Sequence, residues 1–194
     1  MSAISAARVR LLLLPGLDNS GPAHWQTLWE VKQPFLPVAS IDRIVRQSWS
    51  EPVYEVWQEE LQQTLQNDLR PTIIIAHSLG CLSAAGVDAL ANPHLKAALL
   101  VAPPNANRPD FPTRIKNFRV PARTLSFPSI FVASENDPYA SFDSSQQLAK
   151  VLGSKFISVG PAGHVNGDSG LGDWMFGQER VHDLIKDVLH KSGA

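Results

Sequence analysis

The sequence predicts an α/β fold: a doubly wound, mostly parallel six-stranded sheet with helices on both faces and no large lid domain. Three observations carry this reading. Six short apolar runs are mostly continuous rather than alternating, as strands covered on both faces are. Segments of helical period fall between them. The alternation of strand and helix requires crossover connections, which wind a parallel sheet.

The strand runs are VRLLLL at 9–14, IDRIV at 41–45, TIIIA at 72–76, KAALLVA at 96–102, SIFVAS at 129–134 and KFISV at 155–159. Trp25, Leu28 and Trp29 mark a helix after the first. Residues 53–67 put Val53, Val56, Trp57, Leu61 and Leu65 on one stripe, with Ser50 and Pro52 as start signals. Phe142, Leu148, Ala149 and Leu152 mark a helix after the fifth strand. Val181, Leu184, Ile185, Val188 and Leu189 make a final amphipathic pattern expected to cover one face of the sheet. In such sheets ligands bind beyond the carboxyl ends of the strands, where the winding reverses.

With 194 residues the chain is expected to form a single domain, 1–194, large enough to bury roughly 70% of its unfolded surface. Seventeen Lys and Arg, scattered singly, against 18 Asp and Glu give no electrostatic footprint for nucleic acid or an anionic membrane, so a small-molecule substrate is the expected partner. The apolar run after Arg8 and Arg10 ends at Pro15, too short for a signal peptide or a membrane span. The lone Cys81 cannot form an internal disulfide. A cytoplasmic protein is the resulting expectation.

The segment AHSLG, residues 76–80, matches a nucleophile elbow, with Ala76 in the first of the two small positions. A sharp strand-to-helix turn requires small residues two before and two after the serine. That loose pattern turns up by chance in about one chain in eight of this length, and Ser78 also reads as a simple cap for the helix that follows. Its partners decide between the two. Asp137 lies in a turn beyond the fifth strand and His164 in a glycine-rich loop beyond the sixth, so three strand ends deliver serine, acid and base in the order this arrangement uses. His164 would take the proton of Ser78, and Asp137 would hold the imidazole and stabilise its cation. The developing oxyanion would be met by the backbone N–H of Leu79 and by a second N–H from the loop after the first strand, assigned to Leu17, with Gly16 allowing the close approach.

Glu135 is the alternative acid, though nearer its strand. His77 precedes the nucleophile and is expected to pack beside the sheet. His182 and His190 fall on the last helix, His94 has no chemical context, and Cys81 reads as a small buried residue. The six histidines show no paired metal-ligand spacing, and no nucleotide-binding glycine pattern occurs, so neither metal nor cofactor is expected.

Together, LLLPGLDNSGPAHWQTLWE, IIIAHSLG, VASENDPYAS and GPAGHVNGDSGLGDW resemble the small α/β-hydrolases of the YdeN and retinoblastoma-binding serine hydrolase type, over nearly the whole chain. The resemblance implies a compact α/β-hydrolase fold lacking the first strands of larger members. It implies a Ser-Asp-His triad at Ser78, Asp137 and His164, and an active site bordered by SGPAHW with His24 and Trp25. Residues 103–129, where larger hydrolases insert a lid, are short and proline-rich, which points to an open pocket and small acyl esters. Phe111, Phe118, Trp174 and Met175 are candidate apolar walls or core residues. The expected function is therefore a serine hydrolase of small carboxylic esters. A protein-binding module on a hydrolase scaffold, with a protein partner, and an amide or peptide hydrolase using the same triad are the alternatives.

Overall fold

The computed structural model describes residues 9–36, 39–87, 89–119 and 123–192. Arg8, and residues 120–122 of the long connection between the fourth and fifth strands, lie outside them. Six strands, β1 (Val9–Leu14), β2 (Ala39–Arg43), β3 (Thr72–His77), β4 (Leu95–Val101), β5 (Ser129–Ala133) and β6 (Lys155–Ser158), form one sheet in the order β2-β1-β3-β4-β5-β6. Every adjacent pair is parallel.

The four inner strands, β1, β3, β4 and β5, come from apolar runs because both of their faces are covered. Odd-numbered residues of β1 and β3, Leu11, Leu13, Ile73 and Ile75, pack with Trp25 and Trp29 of α1 (Trp25–Lys32) and Val181, Leu184 and Ile185 of α5 (Met175–Ser192). Even-numbered residues Leu12, Leu14 and Ile74 pack with α2 (Tyr54–Gln66), α3 (Leu79–Ala85) and α4 (Phe142–Leu152) through Leu61, Leu65, Cys81, Ala84, Ala149 and Leu152. Each fully buried leucine or isoleucine in these layers contributes about 1.5–3 kcal/mol of transfer free energy. β6, at an edge, keeps an exposed Lys155 and half-buried neighbours.

Three expectations shift. Strict alternation breaks between β4 and β5, which are joined by irregular chain with no helix among its described residues. Prolines 103, 104, 109, 112, 121 and 128 explain this, since proline lacks the N–H a helix interior needs. Helix α2 starts from Val53, which makes no side-chain cap. The backbone there is held instead by a bridge to Lys116 of that connection. Leu189, assigned to the buried stripe of the last helix, is exposed. Among the described residues no helix is long and apolar enough to cross a membrane.

The chain leaves β1 for β2 on one side and returns to β3 on the other, so the winding reverses between the carboxyl ends of β1 and β3. The loop from Pro15 and the turn at Ser78 face each other across that point, where a ligand site is expected.

Candidate active site

The turn at the end of β3 is tight. Ser78 adopts φ 52° and ψ −125°, a conformation unusual for a residue with a side chain. Its backbone N–H donates to the carbonyl of Val101 at 2.9 Å, which fixes it to β4. Helix α3 begins at the next residue and runs close beneath the end of β1. A Cβ placed on Gly80 would overlap the carbonyl oxygen of Leu14, so the second small position is required by β1. Ala76 is fully buried within β3, between Leu14 and Leu100 in register, and its methyl group is accommodated.

Ser78 does not cap α3, because its side chain makes no capping hydrogen bond. Its Oγ lies 2.8 Å from Nε2 of His164. Nδ1 of the same imidazole lies 2.9 and 3.0 Å from the two oxygens of Asp137, whose side chain is 3% exposed. Asp137 is itself held by the N–H of Tyr139 at 2.9 Å. Glu135 is turned away and accepts from Ser158. The structure thus brings Ser78, His164 and Asp137 into one hydrogen-bonded line from three strand ends. Such a line can move a proton from a serine hydroxyl to an imidazole and stabilise the resulting cation.

On the other side of Ser78 is the β1 loop. A Cβ built on Gly16 would stand 2.8 Å from Ser78 Cβ and 3.2 Å from both Ser78 Oγ and the backbone nitrogen of Leu79. The backbone of Gly16 therefore approaches the serine as closely as chain can. Among the described residues the N–H groups of Leu17 and Leu79 have no hydrogen-bond acceptor. Both residues line a cleft of about 690 Å³ that opens over Ser78 and His164.

The serine hydrolase family model matches residues 11–183. The chain belongs to this family of serine hydrolases. It is 31% identical to a protein of Pectobacterium atrosepticum described as a YdeN-like hydrolase, with a TM-score of 0.80 over 93% of this chain and 92% of that one. The ydeN gene product of Bacillus subtilis matches at 18% identity and a TM-score of 0.72, covering 92% of this chain and 99% of that one. The B. subtilis carboxylesterase CesB shares the fold at 13% identity and a TM-score of 0.65, covering 92% of this chain and 84% of that one. No curated protein sequence matches the chain. It is a YdeN-like serine hydrolase with the α/β-hydrolase fold.

In this serine hydrolase, two of the residues expected to contact substrate lie elsewhere. Gly16 and His24 line the cleft, whereas Trp25 and Trp174 do not. Their rings pack on each other at 4.7 Å beneath it, with Trp29 in the same cluster. Large apolar rings are more stable inside the α1–α5 layer than at an open cleft. Trp25 still acts on the site: its Nε1 donates to the carbonyl of Val165 at 2.8 Å, next to His164. His77, expected only to pack, makes the matching contact, with Nε2 2.9 Å from the carbonyl of His164. An imidazole nitrogen facing a carbonyl must carry the proton, so Nε2 is the donor.

Burial determines the charge of the two neighbouring histidines. His24 has its pKa pushed down to about 4 by burial, with the charges of Arg43 and His164 adding to the effect. Its Nδ1 accepts the N–H of Gln26 as the cap of α1. The fully buried His77 is pushed well below its ordinary value, again by burial first. Both are neutral near pH 7.

Sequence reasoning missed the residues that brace the cleft. Tyr139 sits edge-on to His164 at 4.5 Å. Arg108 donates to the Pro138 carbonyl at 3.0 Å beside the acid. Arg114 reaches both oxygens of Asp18, the residue after Leu17, at 2.7 and 3.0 Å. Asn136 accepts the N–H of Gly163 at 2.7 Å, tying the acid loop to the base loop. The aromatic and the arginines lie in irregular chain, where no periodicity marks them. Of the apolar candidates, Phe111 lines the cleft, Phe118 is buried between Tyr54 and Trp57, and Met175 is exposed.

Proposed function

We propose that this hydrolase cleaves small carboxylic esters through a covalent acyl-enzyme, with Ser78 as nucleophile, His164 as general base and Asp137 as its orienting acid. The observation that carries the reading is the unbroken contact Asp137–His164–Ser78, at 2.9 and 2.8 Å, opening on a cleft. As Ser78 Oγ bonds to the ester carbonyl carbon, Nε2 of His164 takes its proton. The carbonyl electrons move to oxygen, and that oxyanion is received by the free N–H groups of Leu79 and Leu17. Collapse of the intermediate breaks the bond to the alcohol, which leaves with the proton from His164. A water then repeats the sequence on the acyl-enzyme and returns the proton to Ser78.

The preference for small esters is supported by the connection over the cleft, residues 102–128. It carries no helix among its described residues and leaves the cleft open to solvent. A fluorophosphonate probe is expected to label the protein once, at Ser78, and Ser78→Ala to abolish labelling. The same change should lower kcat on a short nitrophenyl ester by a factor on the order of 10⁶. A wild-type protein that resists the probe and cleaves no such ester overturns the reading.

A further inference from the structure

The charged side chains lining the cleft form pairs, with one remaining. Arg114 holds Asp18 through both carboxylate oxygens. Arg108 likewise takes both oxygens of Asp110. That leaves Asp168, in the short 3₁₀ turn Gly167–Ser169, as the third lining carboxylate. Its backbone N–H donates to Asn166, but among the described residues its carboxylate has no hydrogen-bond donor or cation. It is exposed, and it faces the same cleft as Ser78 and His164.

The two ends of the cleft differ. Beside the candidate oxyanion donors, Leu17, Leu79, Phe111 and Ile115 belong to one apolar cluster. The lining that follows His164 in the chain is polar, Asn166, Gly167 and Asp168, and Tyr139 stands 4.5 Å from its ring with the Asp110-paired Arg108 over the tyrosine ring. Gly167 lies beside the last residues of the β1 loop, where a Cβ on it would stand 3.6 Å from the backbone nitrogen of His24. In an acyl transfer the leaving alcohol takes its proton from the imidazole, so it departs on the histidine side.

We infer that the preferred substrates are esters of a short apolar acid with a cationic alcohol, an amino alcohol or a quaternary ammonium alcohol, whose positive charge is selected by Asp168. The inference rests on the esterase reading above and adds the class of leaving group. At the cleft rim an unpaired carboxylate attracts a cation through high dielectric, so the discrimination is several-fold and weakens with salt.

Two isosteric esters test it: choline butyrate and 3,3-dimethylbutyl butyrate, which differ in a positive nitrogen against a neutral carbon. Their kcat/KM ratio, normalised to their rates of hydroxide hydrolysis, is compared between wild type and Asp168→Asn. The ratio is expected to fall by about fivefold in the variant, to fall further in Asp168→Lys, and to shrink in wild type as sodium chloride is raised. A ratio within twofold of wild type in both variants overturns the inference. So does failure to cleave either ester by protein that still hydrolyses nitrophenyl butyrate and takes the fluorophosphonate. Protein that does neither overturns the esterase reading itself.

Discussion

Nε2 of His77 donates to the backbone carbonyl of His164 at 2.9 Å, so the residue before the candidate nucleophile holds the main chain of the candidate base. With Trp25 on the carbonyl of Val165, two buried donors fix a loop in which Val165 sits at φ 52°. Changing His77 to leucine leaves the His164 carbonyl buried and unpaired, at a cost of about 1–3 kcal/mol, and loosens the imidazole relative to Ser78. The expected result is a fall in kcat of about tenfold or more, since the base loses the anchor of its main chain. Steady-state kinetics on a nitrophenyl ester checks this, with fluorophosphonate labelling slowed in parallel.

Two small residues around Ser78 separate activity from folding. A methyl group on Gly16 enters the space between Ser78 Oγ and the Leu79 nitrogen, each 3.2 Å away, where a developing oxyanion would sit. Gly16→Ala is therefore expected to remove more than 100-fold of activity, the scale of losing an oxyanion donor. Ala76→Gly should leave kcat unchanged and lower stability by roughly 0.5–1 kcal/mol, the cost of glycine within a strand. Urea unfolding and kinetics on both variants distinguish the two effects.

The four inner strands were legible because burial on both faces writes them as continuous apolar runs, and the convergence of Ser78, Asp137 and His164 because each follows the carboxyl end of a strand. The reason for small residues at the elbow was legible only in part. Gly80 is confined by Leu14 at the end of β1, a neighbour 66 residues away in sequence that no local pattern announces. Trp25 and Trp174 were placed at the cleft because their segments border it, yet their rings turn inward to the α1–α5 core. Arg108, Arg114 and Asp168 carry no periodic signal, and their meaning depends on which partners the fold supplies.

The ion pair between Arg114 and Asp18 joins the connection over the cleft to the loop that carries Leu17. Asp18 and Asn19 have φ of 60° and 65°, so this loop is held in left-handed backbone by its contacts. Both partners are about half exposed, and such a pair contributes at most about 1 kcal/mol to stability. Its effect is expected in the position of the Leu17 N–H. Arg114→Ala should lower kcat about three- to fivefold while the unfolding midpoint barely moves. Added salt should lower kcat in the wild type toward that of the variant, because an exposed pair is screened.

Neutral His24 and His77 make folding pH-dependent in a defined direction. In the unfolded chain both imidazoles take up protons near pH 6.5, whereas in the folded protein His24 does so only at about 4 and His77 well below its ordinary value. Between those limits the unfolded state binds more protons, so stability is fully present above about pH 6.5 and is lost as pH falls toward 4. The His24 shift alone corresponds to a loss on the order of 3 kcal/mol across that window. His24→Asn keeps a side chain able to cap α1 but removes the titrating group. Urea midpoints measured at pH 7.5 and pH 5 should therefore converge in this variant relative to wild type. Equal pH sensitivity in both proteins would show that His24 is protonated in the folded state at pH 5.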